Sequence, residues 1–108
     1  MSALDTGVKK VETNKVYSFN QDKQIPTYLL GMVVGDLKVQ AVSDRVNLIT
    51  EPGDITKAAY ELKQVPQFMT AMESYLTPFA WQSFNVVLLP GTMTSEAAGM
   101  ENPYLTIV

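Results

Sequence analysis

From residue 15 the chain alternates, with Val16, Ser18 and Asn20 facing one way and Tyr17 and Phe19 the other. That is the period-two signature of a half-buried strand. The stretch before it, MSALDTGVKKVETN at 1–14, is polar and lacks a clear period. It reads as a loose lead-in in which Val8 and Val11 begin a strand. Residues 21–24 turn the chain, and IPTYLLGMVVG at 25–35 is almost continuously apolar. Pro26 favours a strand starting just after it, and the β-branched and aromatic residues through Val34 predict burial on both faces. Gly31 and Gly35 would mark a bulge and a turn. Two short apolar runs flank Ser43 and Asp44, and EPGD at 51–54 is a strong turn signal. The first half therefore reads as a β-meander.

After that turn the period changes. Ile55, Ala58, Leu62, Val65, Met69, Met72 and Leu76 recur at steps of three and four, which lines them on one face of a helix. Asp54 is placed to cap it, and Pro66 within it predicts a kink or break at 63–65. Thr77 and Pro78 end it. SFNVVLLP at 83–90 has the form of a buried central strand, residues 91–99 form a loop of small residues, and PYLTIV is a final β-branched stretch. A β-rich segment followed by strand, helix and strand makes the fold class α+β.

Composition narrows the chemistry. The chain has 108 residues, a net charge of −3 and eight scattered Lys and Arg, so no basic stripe exists for a nucleic-acid backbone to follow. Cys and His are both absent, which removes disulfides, thiolate nucleophiles, imidazole bases and the commonest zinc ligands. The longest apolar run is shorter than the roughly 20 residues that span a bilayer. A reducing compartment such as the cytoplasm is the natural expectation.

Most groups that could carry chemistry have a plainer explanation. Met69, Met72, Met93 and Met100 could suggest a soft-metal site, but two of them fall on the apolar helical stripe, where packing explains them. Tyr60, Tyr75, Phe79 and Trp81 fit a role in anchoring the helix end against a sheet. Glu51, Asp54 and Glu61 lack the alternating oxygen spacing of a calcium loop and suit a cap and a solvated helix face. The exception is AAGMENP at 97–103. Small residues admit a second backbone, and Glu101 sets an anion at the mouth of a strand. An extended peptide could pair along such an edge while its amino terminus meets the carboxylate. A tight turn with an exposed Glu is the competing reading of those residues.

GMENP after a VVLLP strand resembles the substrate-binding motif of the gluzincin zinc aminopeptidases. KVYSFNQ at 15–21, IPTYLLGMVVGDL at 25–37, AAYEL at 58–62 and PFAW at 78–81 are similar, in order, to the leukotriene A hydrolase branch of that family. The resemblance covers residues 15–108. It implies that residues 1–42 are the last strands of an amino-terminal, saddle-like β-rich domain. Residues 43–108 would open a thermolysin-like catalytic domain, and the chain would end before a His-Glu-x-x-His helix that binds zinc in the complete enzyme. Carried over residue by residue, Glu101 would hold the free α-amino group of a peptide substrate. Gly99 and Met100 would present backbone groups to it, and Ala98 and Asn102 would support the turn. The branch usually carries an aromatic and a second Gly where Ala97 and Ala98 stand, which leaves the preferred first residue open, as it does epoxide opening.

On this reading the isolated chain is an inactive fragment of an aminopeptidase. It binds no zinc, its partners are amino-terminal peptides and the rest of the catalytic domain, and its uncovered strands favour self-association. The alternative is a non-catalytic module that captures peptides or a partner strand along the GMEN edge.

Overall fold

The computed structural model describes residues 1–91 and 99–108. The fold is mixed α+β, in two sheets. Strands β1 (Leu4–Val11) and β2 (Asn14–Asn20) form an antiparallel hairpin. The larger sheet has the order β3-β4-β5-β7-β6, from β3 (Lys38–Ala41), β4 (Val46–Thr50), β5 (Phe84–Val87), β6 (Met100–Asn102) and β7 (Leu105–Ile107). Helices α1 (Ile55–Glu61) and α2 (Val65–Tyr75) link β4 to β5.

The lead-in expected at 1–14 is instead a full strand. Its period is hidden by a bulge between Asp5 and Gly7, where Gly7 takes φ 125° and its N–H donates to Asp5 Oδ1 at 2.8 Å. The extra residue reverses which face the following side chains take, so no run of alternation survives in the sequence. β2 is a strand as expected, but it is exposed along its whole length rather than half-buried, since among the described residues it pairs with β1 alone.

Residues 27–34 correct the expectation of a buried strand. Pro26 leads into a single 3₁₀ turn, Thr27–Leu29, closed by Leu29 and Leu30 N–H bonds to the Pro26 and Thr27 carbonyls. Proline suits the start of a helical turn because its missing donor would have no partner there. The chain beyond runs over the surface, with Val34 83% exposed. Gly31 is held by Ser2, whose N–H donates to the Gly31 carbonyl (2.9 Å) and whose Oγ accepts the Gly31 N–H (2.8 Å). It marks a contact, not a bulge in a sheet.

The apolar runs around Ser43 and Asp44 are the antiparallel strands β3 and β4. The boundary expected at 42 falls in the turn between these hydrogen-bonded neighbours. EPGD turns the chain, and Asp54 stands ahead of α1 without capping it through its side chain; its N–H donates to the Glu51 carbonyl and its own carbonyl accepts the Ala58 N–H. The predicted break is present at residues 62–64, and Pro66 lies in the first turn of α2, where a lost N–H costs little.

Three strands, β4, β5 and β7, run parallel through the sheet, and β5 is central as its apolar run predicted. Period two and the registers Asn47↔Asn85 and Leu48↔Val86 divide the sheet into two faces. One carries Val46, Leu48, Thr50 and Val86, and α1 covers it: Leu48, Ile55 and Ala58 form the core cluster, with Val42, Ala59, Leu62 and Leu88 packed on it. The other carries Asn47, Asn85, Ile49 and Val87, and an open cleft of about 470 Å³ lies between it and Ala3, Leu4 and Phe19 at the base of the hairpin.

The helical stripe does not stay buried. Ile55 and Ala58 are in the core, whereas Met72 and Leu76 on α2 are 56% and 69% exposed. Phe79 and Trp81 anchor to the sheet as expected, edge-on to Phe84 at 5.8 Å and to Tyr104 at 5.3 Å. Tyr60 and Tyr75 do not, and both remain mostly exposed.

Candidate functional site

The GMEN segment is placed by the last two strands. β6 pairs antiparallel with β7 in the register Met100↔Ile107, Glu101↔Thr106 and Asn102↔Leu105, and it forms one edge of the sheet. Gly99 and Met100 enter β6 beside the carboxyl ends of β5 and β7. In open α/β sheets that end is where ligands settle. Gly99 lies tightly against β7, since a Cβ there would stand 3.0 Å from the Ile107 carbonyl oxygen and 3.5 Å from Val108 Cγ1. The backbone that approaches this small residue most closely is therefore the chain's own β7.

Glu101 is exposed, and among the described residues no hydrogen bond or ion pair engages its carboxylate. An anion on an edge strand, next to unpaired backbone groups, can receive a cationic chain end. Met100 is partly exposed and Asn102 is buried. The Asn102 side chain packs on Gly31, where a Cβ would stand 3.0 Å from Nδ2, and its Oδ1 is buried without a partner among the described residues. The segment pinned by Ser2 thus forms the floor under the motif's asparagine. Ala98, Ala97 and Met93 lie outside the described residues.

Sequence reasoning missed the groups that hold this hairpin. Pro103 and Tyr104 make its two-residue turn, and Tyr104 has φ 62° while almost fully buried. Its carbonyl accepts the Asn85 Nδ2–H at 2.8 Å, and Asn85 Oδ1 in turn accepts Asn47 Nδ2–H at 2.9 Å. A signal existed: Asn precedes the apolar run in both NLI at 47–49 and NVV at 85–87, which marks equal depth in two parallel strands.

A second polar link joins the turn before β4 to α2. Arg45 donates two hydrogen bonds to Glu73, at 2.9 and 3.1 Å, and Glu73 Oε1 also accepts the Phe79 N–H at 2.7 Å. Hydrogen bonding from Arg45, followed by that from Phe79, holds the Glu73 carboxyl below its ordinary value. Beside this pair an open groove of about 470 Å³ runs between α2 and the residues after it, lined by Val65, Phe68, Met72, Leu76, Phe79 and Trp81.

Glu51, Asp54 and Glu61 do not come together, and among the described residues no three His, Cys, Asp or Glu form a group able to hold a metal. No helix of the described residues is long and apolar enough to cross a membrane.

No family model matches the chain. Individual proteins do. Leucine aminopeptidase 2 of Aspergillus niger is 34% identical over 101 residues, 93% of this chain and 16% of that protein. Leukotriene A-4 hydrolase of Xenopus laevis is 32% identical over 111 aligned residues, covering all of this chain and 18% of the relative. The structure of native yeast LTA4 hydrolase superposes with a TM-score of 0.84 at 26% identity, over 98% of this chain and 16% of that one. The chain is homologous to a segment of the leukotriene A-4 hydrolase and leucine aminopeptidase 2 family. It spans about a sixth of the length of these relatives. The resemblance first drawn from GMENP and the ordered blocks before it thus extends over the whole chain, the β1 strand included.

Proposed function

We propose that this chain is part of a zinc-dependent aminopeptidase of the leukotriene A hydrolase type, and that Glu101 anchors the free amino group of a peptide substrate. The observation that carries this reading is the Glu101 carboxylate on the edge strand β6, unengaged among the described residues, in a chain whose relatives are aminopeptidases and leukotriene A-4 hydrolases. An extended peptide pairs along β6, and its ammonium group meets the carboxylate. That contact fixes the register and restricts cleavage to the amino-terminal residue. Met100 and Gly99 present backbone groups to the same peptide, and Asn102, seated on Gly31, holds the strand in place.

The residues of this chain do not suit a zinc site: it has no His or Cys, and its described acidic residues do not converge. Zinc belongs to other parts of the enzyme, and the isolated chain releases no amino acid from an aminoacyl reporter. Residues 1–42 close the amino-terminal β-rich domain, and residues 43–108 open the thermolysin-like domain, with β3 joining the sheet of the latter. The remainder of that catalytic domain is the partner that covers the exposed side of α2. The absence of cysteine fits a cytoplasmic enzyme.

Binding of a short free-amine peptide and its N-acetylated twin tests the anchor. The free amine is expected to bind about 10- to 100-fold more tightly, the worth of a hydrogen bond to a charged group, and Glu101→Ala is expected to abolish the difference. Equal binding of the twins by the unaltered chain rejects the reading. Release of amino acid by the pure chain, retained under chelation, rejects its dependence on zinc.

A further inference from the structure

The turn that follows the Glu101 strand is built against local preference. Pro103 holds φ near −65°, which rules out the primed turns that suit two-residue hairpins, since both need a positive φ at that position. Of the unprimed turns that remain, type I keeps φ negative at both residues, whereas type II places a positive φ at the second, where Gly or Asn is usual. This chain has Tyr104 there, at φ 62°. Such a backbone persists only when its surroundings over-determine it, and it tends to occur at functional sites.

The surroundings are explicit. The Tyr104 ring packs edge-on to Trp81 with centroids 5.3 Å apart, and the residue is 4% exposed. Its carbonyl oxygen receives Asn85 Nδ2 at 2.8 Å. Asn85 belongs to central β5, which is separated from β6 by β7, so its side chain reaches the hairpin turn directly and ties it to the middle of the sheet. The Asn85 amide is itself oriented: Oδ1 accepts from Asn47 on β4, and Nδ2 also lies 3.2 Å from Ser83 Oγ. A donor turned the other way would put two oxygens together at Tyr104.

We infer that Asn85 is a positioning residue for substrate binding: by clamping the left-handed Tyr104 turn it fixes the height and register at which β6 presents the Glu101 carboxylate. This inference rests on the anchoring role proposed for Glu101. A methyl group in place of the Asn85 amide leaves the Tyr104 carbonyl without its donor while sparing Glu101, Thr106 and the ladder between them.

The test uses the 108-residue chain with Asn85→Ala, Tyr104→Gly and the two combined. Amide exchange read by mass spectrometry at low concentration reports the hairpin. Asn85→Ala is expected to speed exchange across Met100–Asn102 by about three- to ten-fold, the effect of one hydrogen bond, and by more than at Leu48. In the Tyr104→Gly background the same substitution is expected to add little, because glycine takes the left-handed turn without a clamp. Equal acceleration throughout the sheet, or effects that simply add, overturns the clamp. The peptide pair supplies the second readout: Asn85→Ala is expected to reduce the preference for the free amine several-fold. An unchanged preference beside a loosened hairpin overturns the positioning role. If the unaltered chain shows no preference, the anchoring reading and the positioning role built on it both fail, while the exchange data still decide the clamp.

Discussion

At Gly99 an added methyl group would stand 3.0 Å from the carbonyl oxygen of Ile107, and that oxygen belongs to a strand and cannot rotate away. Gly99→Ala is therefore expected to destabilise the chain by about 1–3 kcal/mol, the usual cost of overpacking, read as a lower denaturant midpoint with unchanged slope. The same crowding loosens the β6–β7 register. Gly31 differs, because its near neighbour is the end of the Asn102 side chain rather than main chain. Both glycines stand out in the sequence, yet their meanings were only half legible there. Small residues before Glu101 implied a close approach, but not that the approaching strand would be the chain's own. Gly31 suggested a bulge, and only the tertiary contact shows it as the seat of Asn102, seventy-one positions away (102 − 31). The left-handed Tyr104 gave no sequence signal, since nothing in local propensity asks a tyrosine to adopt it.

Among the elements, α2 depends on a polar tie. Its apolar stripe is largely uncovered, and the Arg45–Glu73 pair with the Phe79 N–H joins it to the turn before β4 and to the chain that follows. Glu73 has a lower pKa in the folded chain than its ordinary 4.5, so its stabilisation is full above that value and is lost as the pH falls through it toward the native one. Arg45 stays charged throughout. Thermal midpoints of the unaltered chain and of Glu73→Gln are expected to differ at neutral pH and to converge well below pH 4.5. A constant gap across that range contradicts this account. The helical period and Pro66 located α1, α2 and the break between them, because the pattern is local. Periodicity failed for β1, where a bulge reverses the faces, and for residues 27–34, where an apolar run implied a buried strand. Among the described residues no strand pairs with that segment; Ser2 grips Gly31 and the Asn102 side chain of β6 rests on it.

For the molecule as a whole, apolar surface exceeds what its own elements cover. Phe68, Met72, Tyr75 and Leu76 are each more than half exposed, and β3 and β6 are the edges of the sheet among the described residues. Patches and edges of this kind promote association. Sedimentation of the isolated chain is expected to show mass rising with concentration, and Met72→Glu with Leu76→Glu is expected to shift it toward the monomer. A monomer at all concentrations, with one cooperative thermal transition, contradicts this. The sequence by itself determined the apolar runs of β4 and β5, the two-part helix, the turn at 51–54 and the final stretch of β7, with the family resemblance that the ordered motifs carry. These follow from period, proline and glycine, which act over a few residues. The tertiary structure alone decided that β6 lies at an edge with Glu101 unengaged among the described residues, that Asn102 rests on Gly31, and that Asn85, itself bonded to Asn47, reaches the Tyr104 turn. Those relations join residues 19 positions or more apart, and strand order and register, which local pattern does not encode, bring them together.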